Sequence, residues 1–381
     1  MQTEGKSDVL IVGAGPSGVA SGIILARAGA NVCVVDRAHF PRDKVCGDAV
    51  SNDGMLLIEQ LGARESVEKW PHAIVRRAAA IFPDGTRIAR DYQRPGYIVP
   101  RYNLDDSLRQ SLQSSGVRLE QDCKVSMLTR TDGRITGAEG PNLKWRADLV
   151  IAADGYGSVG LEAVGQTGPR GLHLAVSATA YYRNVDFPEG PETADHFFDR
   201  ELPYGYGWIF PAVDGVSNLG VYLRSDAYGK TGRKLKELLG EFLERQAARL
   251  KGAELVGRVR VWSLPIAPRP IPVSAPGLLL AGDAGGFIDP LSGEGIWQAL
   301  HTGILAGEVA ADALQRGELN STLQRRYQLA CKRDIARPSR GKALIQRAMA
   351  IIVEKRLYRS SLVRGALTLG YRHNALEMTK S

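Results

Sequence analysis

The residues with the clearest chemical meaning near the N-terminus are three glycines and an aspartate. Gly13, Gly15 and Gly18 form a G-x-G-x-x-G pattern, and an acid, Asp36, follows 21 residues after the second glycine. In a strand–turn–helix unit, the first glycine allows a tight turn, the second lets the backbone approach a pyrophosphate, and the third lets helix and strand pack closely. The carboxylate can accept hydrogen bonds from a ribose hydroxyl. The spacing predicts a dinucleotide site, to which we also assign Pro16, Ser17 and Arg37.

A second cluster, about 245 residues after Asp36, distinguishes between the dinucleotides. A strand that ends in Gly282-Asp283 can place a carboxylate on a ribityl hydroxyl. A Gly-rich turn that opens a helix can direct N–H groups to the O2 and N1 atoms of an isoalloxazine ring. A nicotinamide dehydrogenase needs no such second cluster, so the two clusters together predict FAD. The residues assigned here are Gly282, Asp283, Pro290, Gly293, Glu294, Gly295 and Ile296.

Three aromatic residues could form a binding surface for an apolar molecule. Tyr206, Trp208 and Phe210 alternate along a predicted strand, and Pro211 follows directly. Such a stripe is commonly ordinary strand core. A flat apolar wall would equally suit a ligand pocket. The residues alone leave both interpretations open.

The elements that position these residues follow from the hydrophobic pattern. Residues 8–36 are typical of one βαβ unit, and the apolar runs near 146–155 and 277–286 are typical of further buried strands. Residues 173–224 instead alternate and carry aromatic and β-branched residues, which indicates a largely antiparallel sheet. We predict an α/β fold: a Rossmann-like FAD-binding domain with an inserted, mainly antiparallel β-sheet substrate domain and a helical C-terminal tail. The predicted boundaries are 1–165 and 271–321 for the two parts of the FAD-binding domain, 166–270 for the substrate domain and 322–381 for the basic helical region.

Composition narrows the class of protein. The chain has 381 residues, of which 44% are hydrophobic and 24% charged, and this excludes a fibrous or wholly disordered chain. The four scattered cysteines and the six histidines, among them His196 and His373, show no ligand spacing, so we expect no metal site. No apolar run approaches the ~20 residues of a spanning helix, and the polar N-terminus does not resemble a signal peptide. We expect a cytoplasmic protein without a nucleic-acid partner.

The charge is concentrated at the C-terminus. Residues 325–381 hold 14 Lys/Arg and 3 Asp/Glu, a net charge of +11, whereas the remaining residues hold 35 Lys/Arg and 38 Asp/Glu. Apolar residues between Leu344 and Leu357 fall near one helical face with basic residues around them. Such a segment can lie at an anionic membrane surface. Alternatively, its apolar side packs on the FAD-binding domain and its charges are merely solvated.

Taken as a set, the motifs resemble a known superfamily. GAGPSG with Asp36, the Asp154-Gly155 pair in AADGYGS, and GDAGGFIDPLSGEG resemble the three flavin motifs of the p-hydroxybenzoate hydroxylase superfamily, over roughly residues 8–320. The P-x-x-K-x-C-G segment at 41–47 and the Y-x-W-x-F-P segment at 206–211 are similar to those of the geranylgeranyl reductase family. Members of that family reduce isolated double bonds of isoprenoid chains.

The resemblance implies roles for individual residues. The Y-x-W-x-F-P segment, Tyr206 to Pro211, would line a lipid pocket, and the loop with Cys46 would lie beside the flavin. A proton donor there would complete an alkene reduction, and Cys46 and its neighbour Asp48 are the two candidates. Cys46 could instead be a small buried apolar residue. The resemblance assigns three further residues to FAD: Arg101, Asp154 and Gly155.

The resemblance therefore implies an FAD-dependent oxidoreductase that reduces the C=C bonds of an isoprenoid chain, with a hydrophobic or lipid substrate. NADPH or a ferredoxin-like protein would supply the electrons. A flavin monooxygenase that hydroxylates a small aromatic or polyketide-type substrate remains the alternative. A halogenase is disfavoured, because the chain has Y-x-W-x-F-P where halogenases have W-x-W-x-I-P and has no lysine between Lys69 and Lys124. A flavin-binding electron carrier is a third interpretation.

Overall fold

The computed structural model describes residues 3–372. His373 and the rest of residues 373–381, at the end of the predicted C-terminal region, lie outside the described residues. The strands are β1 (Thr3–Val12), β2 (Val32–Val35), β3 (Ala49–Val50), β4 (Ala73–Ile81), β5 (Arg87–Ile98), β6 (Arg118–Glu120), β7 (Met127–Thr131), β8 (Arg134–Gly140), β9 (Leu143–Ala152), β10 (Leu174–Arg183), β11 (Thr193–Phe197), β12 (Tyr206–Ile209), β13 (Val216–Arg224), β14 (Glu254–Pro265), β15 (Ser274–Ala275) and β16 (Leu278–Leu280).

The helices connect the strands and form the C-terminal region. The α-helices are α1 (Pro16–Arg27), α2 (Asn52–Gln60), α3 (Arg64–Glu68), α4 (Arg101–Ser114), α5 (Gly160–Ala163), α6 (Ser225–Tyr228), α7 (Leu235–Arg245), α8 (Ile296–Arg316), α9 (Ser321–Cys331), α10 (Arg337–Glu354) and α11 (Ser361–Arg372). Short 3-10 turns lie at Gly171–His173, Gly282–Gly285 and Leu357–Arg359, and a π-helical turn joins α9 to α10 at Lys332–Ala336.

The first sheet has a parallel centre in the order β16-β9-β1-β2-β6. Its strands are buried on both faces, which explains why they were visible in the sequence as continuous apolar runs. β15 pairs antiparallel with β16 at one edge, and β8 and β7 extend β9 as an antiparallel hairpin. Asp132 and Gly133 form the turn of that hairpin, both with positive φ (50° and 78°), as the type I′ turn requires.

The second sheet has the order β14-β10-β13-β12-β11-β4-β5-β3 and is antiparallel except between β11 and β4. One face packs against α7, where Leu238, Leu239 and Phe242 are buried. The other face carries Tyr206, Trp208 and other aromatic side chains toward the first domain. This α/β architecture, with an antiparallel sheet and a helical C-terminal region, confirms the predicted fold class.

The second sheet extends beyond the range that the sequence suggested. Strands β3, β4 and β5 lie within the predicted first part of the FAD-binding domain, residues 1–165, yet they pair into the second sheet through β11. Sheet membership depends on this pairing between Arg77 and Thr193, which are far apart in the sequence. The domain division therefore stays a proposal, with residues 49–98 added to the substrate domain.

Two helix contacts fix the site's framework. Helix α8 crosses α1 so closely that a Cβ on Gly303 would lie 2.3 Å from the carbonyl oxygen of Ser17. The C-terminal helices lie on the second sheet, where Tyr358 stacks on Phe82 with 5.2 Å between ring centroids. Within residues 3–372, none of the helices is both long and apolar enough to cross a bilayer.

Candidate active site

The three glycines of the first motif have different surroundings. Gly13 has φ +102°, and a Cβ there would lie 2.4 Å from the carbonyl oxygen of Ala153. A Cβ on Gly18 would lie 1.8 Å from the carbonyl oxygen of Gly13, so this glycine lets α1 pack on the turn. Gly15 faces open space, since the nearest atom to its Cβ position would be Arg42 Nη2 at 3.7 Å. The open space at the N-terminus of α1, next to Pro16 and Ser17, fits a pyrophosphate.

Asp36 directly follows β2 and is buried at the edge of the same turn. Its Oδ2 accepts a hydrogen bond from the backbone N–H of Ala14 at 2.7 Å, and its Oδ1 accepts one from Ala38 at 2.8 Å. Each carboxylate oxygen keeps a second lone pair for a ribose hydroxyl. The neighbouring Arg37 is exposed.

The third motif packs directly against the first. Gly282 has φ +61°, and a Cβ there would lie 2.7 Å from Ser17 Oγ. The Gly282 N–H donates to Thr302 Oγ1 of α8 at 2.9 Å. The carboxylate of Asp283 forms an ion pair with Lys44 at 3.3 Å. The fold therefore brings together two clusters that lie more than 240 residues apart in the sequence.

The Asp154-Gly155 pair lies at the other side of the turn. Asp154 Oδ2 accepts from the Val159 N–H at 2.8 Å, while its buried Oδ1 has no partner in the described part of the protein. Burial raises the pKa of this carboxyl group. An unpartnered buried oxygen beside the cofactor turn fits a hydroxyl of the bound dinucleotide. The glycines from Gly155 to Gly160 also have G-x-G-x-x-G spacing, but they lead only into the four-residue helix α5.

The turn before α8 is held by the second sheet. Asp289 Oδ1 accepts from the N–H groups of Leu291 and Ser292, at 2.8 and 3.0 Å. Tyr222 donates its hydroxyl to the Pro290 carbonyl at 3.0 Å, and Tyr206 donates to the Ser292 carbonyl. Two strands of the substrate domain thus position a cofactor-binding turn.

The first turn of α8 then faces the site with uncapped N–H groups. Gly295 precedes Ile296 and offers no capping side chain, and Gly293 has φ +66°. Backbone N–H groups at a helix N-terminus favour an anionic or electron-rich ligand. The residues present fit the isoalloxazine end of FAD at this position, which is the end where the cofactor's hydride chemistry occurs.

A cavity of about 370 Å³ lies between this turn and the second sheet. Its walls come from the cofactor turns, the loop with Cys46, the start of α2, the aromatic face of the second sheet and the segment that leads into α10. Arg101 also lines it. The main lining residues are Pro16, Lys44, Cys46, Gly47, His196, Tyr206, Trp208, Phe210, Tyr222, Asp283, Gly293, Glu294, Gly295 and Ile296.

The aromatic stripe forms one wall of the cavity. Tyr206, Trp208 and Phe210 are buried and line it, whereas Gly207 and Ile209 face the opposite core. Alternation along β12 produces this separation, because successive side chains point to opposite faces of a sheet. Pro211 is buried but does not line the cavity. The stripe is thus at once part of the core and part of a cavity wall.

Cys46 and Asp48 lie on opposite sides of their loop. Cys46 lines the cavity, and burial raises the pKa of its thiol while the adjacent Arg101 guanidinium lowers it. Asp48 is only 1% exposed and does not line the cavity. Its Oδ2 accepts from Tyr181 Oη at 2.6 Å and from Asn218 Nδ2 at 2.9 Å. Burial raises the pKa of Asp48 to about 6 against these hydrogen bonds.

Asn218 is the residue that joins this loop to the aromatic wall. Its Nδ2 also donates to the Cys46 carbonyl at 2.9 Å, and its Oδ1 accepts from Trp208 Nε1 at 2.9 Å. Asp48 Oδ1 accepts from the Arg101 N–H at 3.3 Å, and the guanidinium of Arg101 binds Asp105 through two bonds of 2.7 and 2.8 Å. Asp48 and Asn218 therefore hold the loop in place.

Several functional candidates have no signal in the sequence. Asn218 lies in an ordinary strand pattern, and its partner Cys46 is distant in the chain. His196, which the sequence suggested to be structural, lines the cavity with a buried Nδ1 that has no partner among residues 3–372, and burial lowers its pKa. Lys342 of α10 forms an ion pair with Asp289.

Comparison with known proteins identifies the family. A family model for the FAD binding domain matches residues 6–337. The chain is 32% identical over 320 residues to a menaquinone reductase from Mycolicibacterium smegmatis, which covers 80% of this chain and 76% of that protein. It is 30% identical over 334 residues to digeranylgeranylglycerophospholipid reductase 2 from Methanopyrus kandleri, which covers 84% of this chain and 81% of that protein.

Solved structures show the same fold at lower identity. A geranylgeranyl bacteriochlorophyll reductase-like protein from Thermoplasma acidophilum has a TM-score of 0.84 at 21% identity and covers 98% of both chains. The flavin-dependent brominase Bmp2 has a TM-score of 0.76 at 20% identity, covering 96% of this chain and 93% of that chain. The fold alone thus spans reductases and halogenases, whereas the sequence relatives are named as reductases. The chain belongs to the geranylgeranyl reductase family of FAD-dependent oxidoreductases, within the p-hydroxybenzoate hydroxylase-like superfamily.

Proposed function

We propose that this protein reduces isolated C=C bonds in the isoprenoid chain of a lipid. The observation that carries the proposal is the cavity in which Tyr206, Trp208 and Phe210 face the cofactor turn at Gly293–Gly295. The relatives support it, because a menaquinone and a digeranylgeranyl glycerophospholipid both carry polyisoprenoid chains. Their head groups differ, so the proposal concerns the chain and leaves the head group to experiment.

An isolated double bond is unactivated, so binding must hold it against the reacting partner in a dry pocket. The aromatic wall offers apolar contact along the chain and excludes water. Bound, reduced FAD supplies the hydride. The loop with Cys46 forms the adjoining wall, and we propose that Asp48 acts by holding that loop, because its oxygens are occupied by Tyr181, Asn218 and the Arg101 N–H.

We propose that electrons reach the flavin from NADPH that binds transiently or from a ferredoxin-like protein. Lys44 and Arg101 line the cavity, Arg42 lies beside them, and the carboxylates of Asp283 and Asp105 pair with all three, so these five groups carry one net positive charge. A net positive charge favours an anionic donor molecule. Anaerobic reduction of the purified flavoprotein by NADPH or by reduced ferredoxin, followed spectroscopically, distinguishes the two donors.

The direct test of the substrate class uses the chemically reduced holoenzyme under anaerobic conditions. It is mixed with vesicles that contain a menaquinone or a digeranylgeranyl glycerophospholipid, and the lipids are analysed by mass spectrometry. A reductase of the chain adds two hydrogen atoms for each double bond and reoxidises the flavin. The extracted menaquinone is oxidised in air before analysis, so that a quinol formed at the ring is not counted as a reduced double bond. If neither lipid reoxidises the flavin, and an aerobic reaction instead adds one oxygen atom to an aromatic compound, the monooxygenase interpretation holds.

The C-terminal helices suggest how a lipid would be approached. Helix α10 is oriented with polar residues inward: Ser339 and Gln346 are buried, whereas Leu344 and Ile351 are 64% and 52% exposed. Gln346 donates to the Pro290 carbonyl of the cofactor turn. The inner side of α10 thus contacts the site, and its outer side presents aliphatic side chains.

Helix α11 also carries exposed leucines. Leu362 and Leu369 are 82% and 61% exposed, and Arg340, Arg347 and Arg364 are exposed on the same two helices. We propose that these outer sides lie on an anionic membrane surface, with the leucines in the interface and each basic side chain contributing about 1 kcal/mol.

Liposome flotation tests this contact. The double variant Leu344→Gln/Leu362→Gln should lose flotation with anionic vesicles, whereas Leu255→Gln should not, since Leu255 is a comparably exposed leucine on β14. Salt should weaken binding because it screens the basic side chains. Wild-type protein that stays with the soluble fraction in every lipid and salt condition would show that the helices serve only the fold.

A further inference from the structure

Glu294 lies where the cofactor turn meets the cavity. It is the residue between Gly293 and Gly295, and its side chain lines the cavity together with Cys46 and Trp208. The nearby Ser51 hydroxyl lowers the pKa of its carboxyl group. The Oε1 atom is buried and has no partner in the described part of the chain. A carboxyl oxygen without a hydrogen-bond partner therefore lies in the wall of the cavity.

The charged neighbours of Glu294 act in opposite directions. Burial is the largest effect and raises the pKa of its carboxyl group to about 7, and the negative charges of Asp289 and Asp53 act in the same direction. The Lys342 ammonium, which is paired with Asp289, lowers that pKa, as does the Ser51 hydroxyl. At neutral pH the carboxyl group is thus substantially protonated and can give up its proton.

The other acids that line the cavity are less suited to donating a proton. Asp283, Asp289 and Asp334 each form an ion pair, with Lys44, Lys342 and His301 respectively. The remaining carboxylate in the described lining, Asp53, is exposed to solvent. Asp48, the carboxylate that the sequence suggested, does not line the cavity. Burial lowers the pKa of the His196 imidazole, which also lines the cavity, and so disfavours its protonated form. The Cys46 thiol is the remaining competitor.

We propose that Glu294 is the catalytic acid that protonates the substrate alkene, an inference that rests on the proposed function. In the step, the π bond of the C=C breaks. A hydride from the reduced flavin forms one new C–H bond, and the proton of the Glu294 carboxyl group forms the other at the neighbouring carbon. Oxidised flavin and the Glu294 carboxylate remain, and the carboxylate regains a proton from water.

Proton donation to an unactivated alkene places positive charge on the more substituted carbon. The aromatic wall formed by Tyr206, Trp208 and Phe210 lines the same cavity, and the Tyr206 hydroxyl bonds to the turn that carries Glu294. Aromatic rings stabilise a nearby cation through their negative faces. Glu294 as acid and an aromatic wall as cation-stabilising surface are therefore complementary.

The first test compares Glu294→Gln with Glu308→Gln, an exposed acid on α8 that serves as the matched control. Glutamine keeps the size of the side chain but cannot donate a proton as an acid. FAD affinity and reoxidation of the reduced flavin by oxygen should stay within about twofold of wild type in Glu308→Gln, and Glu294→Gln is assayed at saturating FAD with its reoxidation by oxygen measured as the reference rate. Reoxidation by the lipid alkene should fall by about 100-fold or more in Glu294→Gln alone, the range of general acid catalysis.

The second test does not remove the acid. Lys342→Gln removes the cation beside Glu294, so the pKa of the carboxyl group should rise and the upper limb of the pH–rate profile should move up by roughly one pH unit. Lys342→Arg should restore the wild-type profile. Infrared difference titration of the protonated carboxyl band, wild type minus Glu294→Gln, measures the same shift without turnover.

The outcomes separate the two proposals. A wild-type enzyme that reduces no isoprenoid lipid refutes the proposed function. A wild-type enzyme that does, with a Glu294→Gln variant that keeps its rate within about threefold, refutes the role of Glu294, and loss of activity in Cys46→Ala would then assign the proton to the thiol. An unchanged pH profile in Lys342→Gln also contradicts the role of Glu294.

Discussion

Replacing Gly15 with alanine should weaken FAD binding without weakening the apoprotein. Gly15 has φ −75° and ψ −177°, a conformation that any residue adopts, and the nearest atom to an added Cβ would be 3.7 Å away. The loss of glycine's freedom in the unfolded chain should stabilise the apoprotein by about 0.4–1 kcal/mol. The added methyl group would occupy the open space that fits the pyrophosphate.

The size of the effect on FAD follows from the hydrogen bonds at risk. Backbone N–H groups of the turn and of the first residues of α1 are the donors to the pyrophosphate. One hydrogen bond to a charged group contributes about 1.5–3 kcal/mol. Loss of one such bond should raise the Kd for FAD by roughly 10- to 150-fold.

Gly18→Ala is the matched variant in which stability should change instead. A Cβ there would lie 1.8 Å from the carbonyl oxygen of Gly13, so the backbone of the turn must move. Alanine's better helix propensity contributes about 1 kcal/mol, and overpacking against backbone costs about 3 kcal/mol at this distance. The net loss of unfolding free energy should be roughly 2 kcal/mol, even without cofactor.

Urea denaturation of the apoproteins and fluorescence titration with FAD measure both quantities. We expect opposite results: the Gly15→Ala apoprotein is about 0.4–1 kcal/mol more stable than wild type but binds FAD weakly, and Gly18→Ala is less stable. A Gly15→Ala variant with wild-type affinity would show that the open space is not the pyrophosphate site. A Gly18→Ala variant with wild-type stability would contradict the close approach of α1 to the turn.

Two further predictions concern the cavity and its loop. Trp208→Ala should lower lipid turnover at least tenfold, while the affinity for FAD changes by less than about threefold, because Trp208 lines the cavity and does not contact the cofactor turns. Equal losses in the turnover assay and in the FAD titration would show that Trp208 is only a core residue. Burial raises the pKa of Asp48 to about 6 from its usual 3.8, so the folded state binds this proton more tightly than the unfolded state. The free energy of unfolding should therefore fall as pH rises from about 4 to about 6, by up to roughly 3 kcal/mol, and urea denaturation of Asp48→Asn should lack this fall.

The features that could be predicted from the sequence are those whose residues lie close together along the chain. The turn from Gly13 to Gly18 and the acid Asp36 belong to one βαβ unit, in which the glycines, strand and helix follow one another within about 30 residues. The same holds for the turn from Gly282 to Ile296 and for the alternation of Tyr206 and Trp208 along β12. Patterns of this kind depend on neighbours in sequence, so the fold class and the flavin motifs were evident without coordinates.

Pairing between distant segments decided the rest. Strands β3 to β5 belong to the second sheet because β4 pairs with β11. The sequence of residues 73–98 does not indicate this pairing, because the partner strand lies about 100 residues later in the chain. The sequence likewise suggested Asp48 as a catalytic acid. In the structure, Tyr181 and Asn218, more than 130 residues later in the chain, donate hydrogen bonds to its carboxylate, and Asp48 does not line the cavity.

The sequence by itself determined an FAD-binding α/β protein with an aromatic stripe and a basic C-terminal region. Only the tertiary structure decided that α10 turns Gln346 and Lys342 toward the cofactor turn and leaves Leu344 in solvent. It also decided that Glu294 has an unpartnered oxygen in the cavity. The physical reason is that the burial and the electrostatic environment of a side chain depend on all the groups that the fold places around it, and most of those groups are distant in the sequence.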